Sequence, residues 1–219
     1  MNLAKAIVPA VAVCAALAFA VPSQAQFVYF TDRPTFSLAN PGLTTEDFEE
    51  ANPYTVVSGP QDKTSNNDAF VPGDIIPNLR ITAVGGDPSE FYVNIGTYGP
   101  TTVMTTNWSD DFARLDFYEG GTGAFGVDLS STSTGGDYTI RIFGTGGLLD
   151  TRTVTSGFFG FSSVENVVRV ELDTPFFETF DNVTIGAAGA PSAVPEPGAY
   201  GLMAGMFVPG AVFLIRRRK

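Results

Sequence analysis

Apolar and polar residues alternate with a period of two along much of this chain. Within residues 137–143, Tyr138, Ile140 and Ile142 fall on one side and Thr139 and Arg141 on the other. Within 166–172, Val168, Val170 and Leu172 stand opposite Arg169 and Glu171. Such runs read as strands buried on one face, the pattern of an antiparallel sheet. Residues 79–84, 91–95, 114–117, 124–129, 149–155 and 179–185 are further strands on the same reading. The glycine-rich stretches between them, at 85–88, 120–123, 135–137 and 144–147, are turn material. The one helical signal covers 34–39, with Asp32 placed to cap it and Asn40-Pro41-Gly42 placed to stop it. Short strands with tight turns at intervals of about ten residues predict an all-β fold, an antiparallel β-sandwich or jelly roll, over residues 26–185. No internal repeat points to a propeller or solenoid.

The two ends break this pattern. Residues 1–5 are short and basic, 6–20 are apolar, and Ser23-Gln24-Ala25 offers small residues where a signal peptidase reads. This predicts a signal peptide over 1–25, cleaved between Ala25 and Gln26. Cys14 lies within it, so the mature chain has no cysteine and no disulfide. At the other end, residues 198–215 carry no charge and Arg216, Arg217, Arg218 and Lys219 follow. Eighteen helical residues span roughly 27 Å, close to the hydrocarbon thickness of a bilayer, and the basic cluster holds such a helix with its tail in the cytoplasm. A transmembrane helix over 198–215 with a basic tail at 216–219 is therefore expected. Ahead of it, Pro195 and Pro197 fix the backbone around Glu196 in an extended form, and the small-residue stretch 186–193 reads as a flexible linker.

Composition narrows the function of the intervening domain. All but one of the 23 acidic residues lie between Gln26 and Ile185, with seven of the 12 Lys and Arg, a net charge near −15. That density repels nucleic acid, anionic lipid and anionic polysaccharide unless a divalent cation bridges them. The chain has no histidine, so imidazole base catalysis, histidine triads and His-ligated zinc are absent.

Val194-Pro195-Glu196-Pro197, the apolar span and the terminal arginines together resemble the PEP-CTERM sorting signal of exopolysaccharide-producing Gram-negative bacteria. The resemblance covers residues 194–219. It implies processing at the Pro-Glu-Pro segment by exosortase, a membrane transpeptidase-like enzyme, and delivery to the cell surface or extracellular matrix after transient anchoring. Signal peptidase and exosortase are the implied partners, with exopolysaccharide as a further one. Three stretches of the domain, residues 44–50 (TTEDFEE), 157–163 (GFFGFSS) and 179–185 (TFDNVTI), resemble PEP-CTERM ectodomains. The early Phe-Glu and late Phe-Asp-Asn-Val are also similar to jelly-roll carbohydrate-binding modules, in which the first and last strands lie together and often hold a structural calcium ion.

Four groups of residues are candidate sites. Strict alternation puts Asp181 on the face of Val183 and Ile185, where a carboxylate needs a cation or several donors. Calcium, with Asp47 or Glu49 from the early strand, would satisfy it; a wetted Asp at a strand end, or one bonded to amides, is the alternative. Trp108, the single tryptophan, is flanked by Asn107 and Ser109, with Asp110 next along the chain. An aromatic beside polar groups suits stacking on a sugar ring, although a lone tryptophan in a β-sandwich also suits the core. Phe158, Phe159 and Phe161 read as a core stretch or an aromatic strip. Pairs such as Asp110-Asp111 and Glu49-Glu50 invite a glycosidase reading, against plain surface solvation. The expectation is a non-catalytic exported module that binds or organises exopolysaccharide. A carboxylate-dependent glycan hydrolase or lyase, or a purely structural matrix protein, are the alternatives.

Overall fold

The structure is a computed structural model that describes residues 27–95, 101–131 and 136–188. The expected signal peptide with its Ala25–Gln26 cleavage point, the Val194–Pro197 segment, the helix at 198–215 and Arg216, Arg217 and Arg218 lie outside the described residues. Among the described residues no helix is long and apolar enough to cross a membrane.

The chain runs β1 (Phe27–Phe30), α1 (Arg33–Ala39), β2 (Thr44–Glu46), β3 (Thr55–Ser58), β4 (Gln61–Asp62), β5 (Leu79–Val84) and β6 (Glu90–Ile95). It continues through β7 (Thr102–Thr106), β8 (Phe112–Phe117), β9 (Thr122–Ser131), β10 (Tyr138–Gly144) and β11 (Gly147–Val154). It closes with β12 (Gly157–Asp173) and β13 (Glu178–Gly186). Gly186, read from sequence as linker, is the last residue of β13. All pairings are antiparallel and join in the order β3-β6-β7-β13-β9-β12-β8-β5-β4, with β1 and β10 added on β12, β11 on β10 and β2 on β13.

One strand makes this sheet curl. The first part of β12 pairs with β9 and β1, and its last part pairs with β8 and β10. Seventeen residues is long enough for sheet twist to accumulate, so the two ends of β12 belong to differently oriented parts of the sheet. The inward side chains of both parts form one core cluster, including Phe91, Met104 and Phe180 from one part and Leu79, Leu115 and Ile140 from the other. The result is an all-β fold consistent with a sandwich. Alternation is visible where one face is wet: β5, β8 and β10 each alternate strictly between buried and half-buried residues.

The outer face of β5, β8, β12 and β10 carries a cross-strand ladder of charge. Asp116 lies between Arg114 and Arg169, at 2.7 and 2.8 Å, and Arg141 binds Glu171 and Asp173 at 3.2 and 2.5 Å. Half-buried but solvent-screened pairs of this kind are worth about 0.2–1 kcal/mol each. Their larger effect is on register, since a two-residue slip, which keeps the same faces, sets like charges opposite each other, Arg169 against Arg114 or Glu171 against Asp116.

Helix α1 docks on the outside of β9 and β12 through a slot made by missing side chains. Asp32 caps the helix by accepting the Thr35 N–H at 2.9 Å, and Phe36 is fully buried. Beneath it Gly126 and Gly160 are register partners. A Cβ on Gly126 would sit 2.8 Å from the Phe36 ring, and one on Gly160 would sit 2.9 Å from Phe158. Gly126→Ala or Gly160→Ala is therefore expected to destabilise by about 1–3 kcal/mol through overpacking, measured by denaturant unfolding. Unchanged stability would mean that α1 rides loosely on the sheet.

Candidate functional site

Strands β6 and β7 pair with Tyr92 opposite Thr105 and Phe91 opposite Thr106. Phe91, Val93 and Met104 point into the core, so Glu90, Tyr92, Asn94 and Thr105 belong to the outward face. Val56 of the edge strand β3 lies beside Tyr92 on this face and is 47% exposed. At one side Tyr54 precedes β3 in the left-handed region, φ 63°, tied by its N–H to the Val93 carbonyl at 2.8 Å. At the other side Phe177 precedes β13.

These elements frame a groove of about 410 Å³ lined by Tyr54, Tyr92, Asn94, Thr105, Thr106, Asn107 and Phe177. Three aromatic rings and four amide or hydroxyl side chains meet there, without a charged one. Rings offer flat apolar faces to C–H surfaces, and amides and hydroxyls exchange hydrogen bonds with hydroxyl groups.

The groove rests on a network that fixes its walls. Asn107 donates from Nδ2 to Glu90 Oε2 at 3.0 Å, and its N–H donates to the Glu90 carbonyl at 2.9 Å. Glu90 is positioned in turn by Asp111, a buried carboxylate that accepts the N–H groups of Gly86 at 2.6 Å and Glu90 at 3.2 Å. Behind the groove, Thr106 donates its hydroxyl to Glu178 at 2.5 Å, and Glu178 also accepts the Thr174 N–H at 2.7 Å. Burial pushes the Glu178 carboxyl up to about 7. Thr105 and Thr179 share a hydroxyl contact at 3.2 Å, and the Tyr138 hydroxyl, its pKa raised by burial, donates to the Thr179 carbonyl at 3.0 Å.

Of the three ligand candidates read from sequence, Asn107 alone lines this groove. Trp108 is 47% exposed in the turn between β7 and β8, so the core reading of it does not hold. Asp110 lies in the same turn beside Gly86, whose Cβ would come within 3.1 Å of its carboxylate. Of the acidic pair, Asp111 is the one with a structural task. Tyr92 and Asn94 carried a usable signal, an aromatic and an amide at i and i+2 on the outward face of a strand. Tyr54 and Phe177 carried none, because loops place them.

The candidate metal ligands follow a different pattern from the one alternation predicted. Pairing between β13 and β9 shifts register between Asp181 and Thr184, where Asn182 has φ 52°. This bulge resets the phase: Phe180, Val183 and Ile185 join the core cluster, and Asp181 does not share their face. Asp181 instead stands opposite Asp128. It accepts the Thr101 hydroxyl at 2.7 Å and the Asn182 N–H at 2.6 Å, so protein donors satisfy it. Burial, with the charges of Asp128 and Glu49, raises its carboxyl to about 6. Glu49 accepts the Thr102 N–H at 2.9 Å, and the exposed Asp47 accepts the Glu49 N–H at 3.3 Å. Among the described residues no three acidic, histidine or cysteine side chains are grouped as a metal site requires.

Asp181→Asn is expected to raise stability at pH 8 by about 1 kcal/mol, after allowing for solvent screening, because it removes a buried charge beside two others. A calcium-dependent rise in Tm that this variant abolishes would make Asp181 a calcium ligand instead.

The pairing expected of the early and late segments is present: Glu46 lies opposite Val183 and Thr45 opposite Thr184. Glu46 is buried and accepts the N–H groups of Phe48 and Ile76, both at 2.9 Å, clamping β2 to the loop before β5. The phenylalanine stretch is core on one side, with Phe159 and Phe161 buried. On the other side Phe158 packs on Phe36 at 5.4 Å and under Arg33 at 4.8 Å.

No family model matches the chain, and no curated protein matches it. Among solved structures it is similar to the CBM22-1–GH10 modules of the Clostridium thermocellum endo-1,4-β-D-xylanase 10B, complexed with xylohexaose. The identity is 16% and the TM-score 0.32, over 52% of this chain and 27% of that one. The likeness thus spans about a quarter of the xylanase chain.

Proposed function

We propose that this protein is a non-catalytic glycan-binding module of the cell surface or extracellular matrix, and that the groove on β6 and β7 is its binding site. The observation that carries the reading is the groove's lining: Tyr54, Tyr92 and Phe177 around amides and hydroxyls, with no cation and no carboxylate among them. A glycosidase needs two carboxylates facing one cleft. Glu178, the acid behind the groove, has both oxygens engaged within the protein. The pairing of β2 with β13 supports the finer reading of the sheet as a jelly roll. Export and exosortase processing rest on the terminal sequences.

Two experiments test these proposals. In affinity electrophoresis of the full chain through gels containing neutral polysaccharides, retardation by at least one of them is expected. Uniform mobility in all of them would leave a structural matrix role. Mass spectrometry of the protein from its producing cells is expected to find an N-terminus at Gln26 and a C-terminus near Pro195–Pro197. Intact termini would remove the sorting proposal.

A further inference from the structure

Glu90 stands at the rim of the groove, on the same outward face of β6 as Tyr92 and two residues before it, about 7 Å away along the strand. Its carboxylate is held by neutral donors, Ser58 Oγ at 3.1 Å and Asn107 Nδ2 at 3.0 Å. Every Lys and Arg among the described residues is committed elsewhere. Arg33 pairs with Asp128, Lys63 with Glu119, Arg80 with Asp62 and Arg152 with Asp150, and the remaining three lie in the ladder on the other side of the fold. The Glu90 charge thus has no cationic side chain against it among the described residues. Asn107, having turned its Nδ2 to Glu90, makes no hydrogen bond through Oδ1 among them. The buried Asp111, bonded to the Glu90 N–H, adds a second negative charge at the same end.

We infer that the groove selects amino sugars with a free ammonium group, a glucosamine-type glycan whose ring stacks on Tyr92 while its amine pairs with Glu90 and Asn107. The inference rests on the reading of the groove as a glycan site. An ammonium donates up to three hydrogen bonds, and charge-assisted bonds to a carboxylate are roughly twice as strong as neutral ones. An N-acetylated ring keeps the stacking and loses the ion pair. A uronate ring brings a like charge to Glu90 and to a domain already strongly acidic.

The test is calorimetric titration of the full chain with glucosamine oligomers, the matching N-acetylglucosamine oligomers and oligogalacturonate, at pH 6 and low salt. The expected result is roughly three- to tenfold tighter binding of the glucosamine oligomers than of the N-acetylated ones, with no binding of oligogalacturonate. Glu90→Gln is expected to abolish the preference, leaving the two oligomer series with equal affinities. Asp137→Asn, an exposed carboxylate outside the groove lining, is expected to keep the preference. Tyr92→Ala is expected to weaken both ligands. Equal affinities in the parent protein, or a preference that survives Glu90→Gln, would overturn the amino-sugar inference and leave the glycan site standing. A parent protein that binds none of the three would overturn the amino-sugar inference, and the glycan site itself would then stand or fall with retardation in the polysaccharide gels.

Discussion

Acidification from pH 8 to pH 5 is expected to stabilise this protein, by a few kcal/mol or roughly 5–10 °C in Tm. Burial raises the carboxyls of Glu46 and Glu178 to about 7 and that of Asp181 to about 6. Each folded pKa thus lies above its unfolded value, and the native state binds more protons than the unfolded chain between about pH 4 and 7. Stability therefore falls as pH rises through that window. The cost of burying these charges is absent below the unfolded value and complete above the folded one. Asp32 and Asp62 act in the opposite sense. The Thr35 N–H holds the first below the ordinary carboxylate range, and the hydroxyl and N–H of Thr64 hold the second there. Their contribution is lost on further acidification, below about pH 4, so the optimum lies between the two windows. Glu178→Gln is expected to be more stable than the parent at pH 8, by about 1–2 kcal/mol, with the difference shrinking on acidification and gone below about pH 4. The measurement is a set of thermal melts across pH 3.5–8.5. A Tm that rises steadily toward pH 8 would contradict the burial of these carboxylates.

The second large effect is expected at Tyr92. Its ring is half-buried and central in the groove, with Asn94 two residues on and Thr105 opposite. Stacking an aromatic ring on a ligand is worth about 0.5–1.5 kcal/mol beyond the area it covers, and burying the ring face adds to this. Tyr92→Ala is therefore expected to weaken glycan binding by about tenfold or more, with little change in fold because Phe91 and Val93 hold the strand in the core. Trp108→Ala is expected to leave binding intact, since Trp108 does not line the groove. Calorimetry on the two variants separates the candidates, and a reversal of their effects would move the site to the turn between β7 and β8.

Strands with one wet face were legible in the sequence, and so were the nearly buried β13, read as 179–185, and the largely exposed β11, read as 149–155. Residues 79–84 are β5 to the residue, and the opposed Arg141 and Glu171 are neighbours across β10 and β12. Strand β7 was illegible because all five of its residues are buried, which erases the period of two. Strands β1 to β4 are two to four residues long, too short to show a period at all. The bulge at Asn182 is why the phase of Asp181 came out reversed. A single inserted residue in a left-handed conformation flips every side chain beyond it, and an Asp-Asn pair within a strand is only a weak sign of it. The groove was half legible. Asn107 was found by its neighbourhood to Trp108, whereas the rings that frame the groove come from three separated segments that only the pairing of β3, β6, β7 and β13 brings together.

The most direct test of the glycan site is an NMR titration of the full chain with a glycan oligomer that it binds, following backbone and side-chain amide resonances. Shifts are expected to concentrate at Tyr54, Tyr92, Asn94, Thr105 and Asn107, including the Asn107 side-chain amide, with the Trp108 indole unmoved. Shifts centred on Trp108, or on the outer face of β5, β8 and β10 with the groove silent, would contradict the groove as that site.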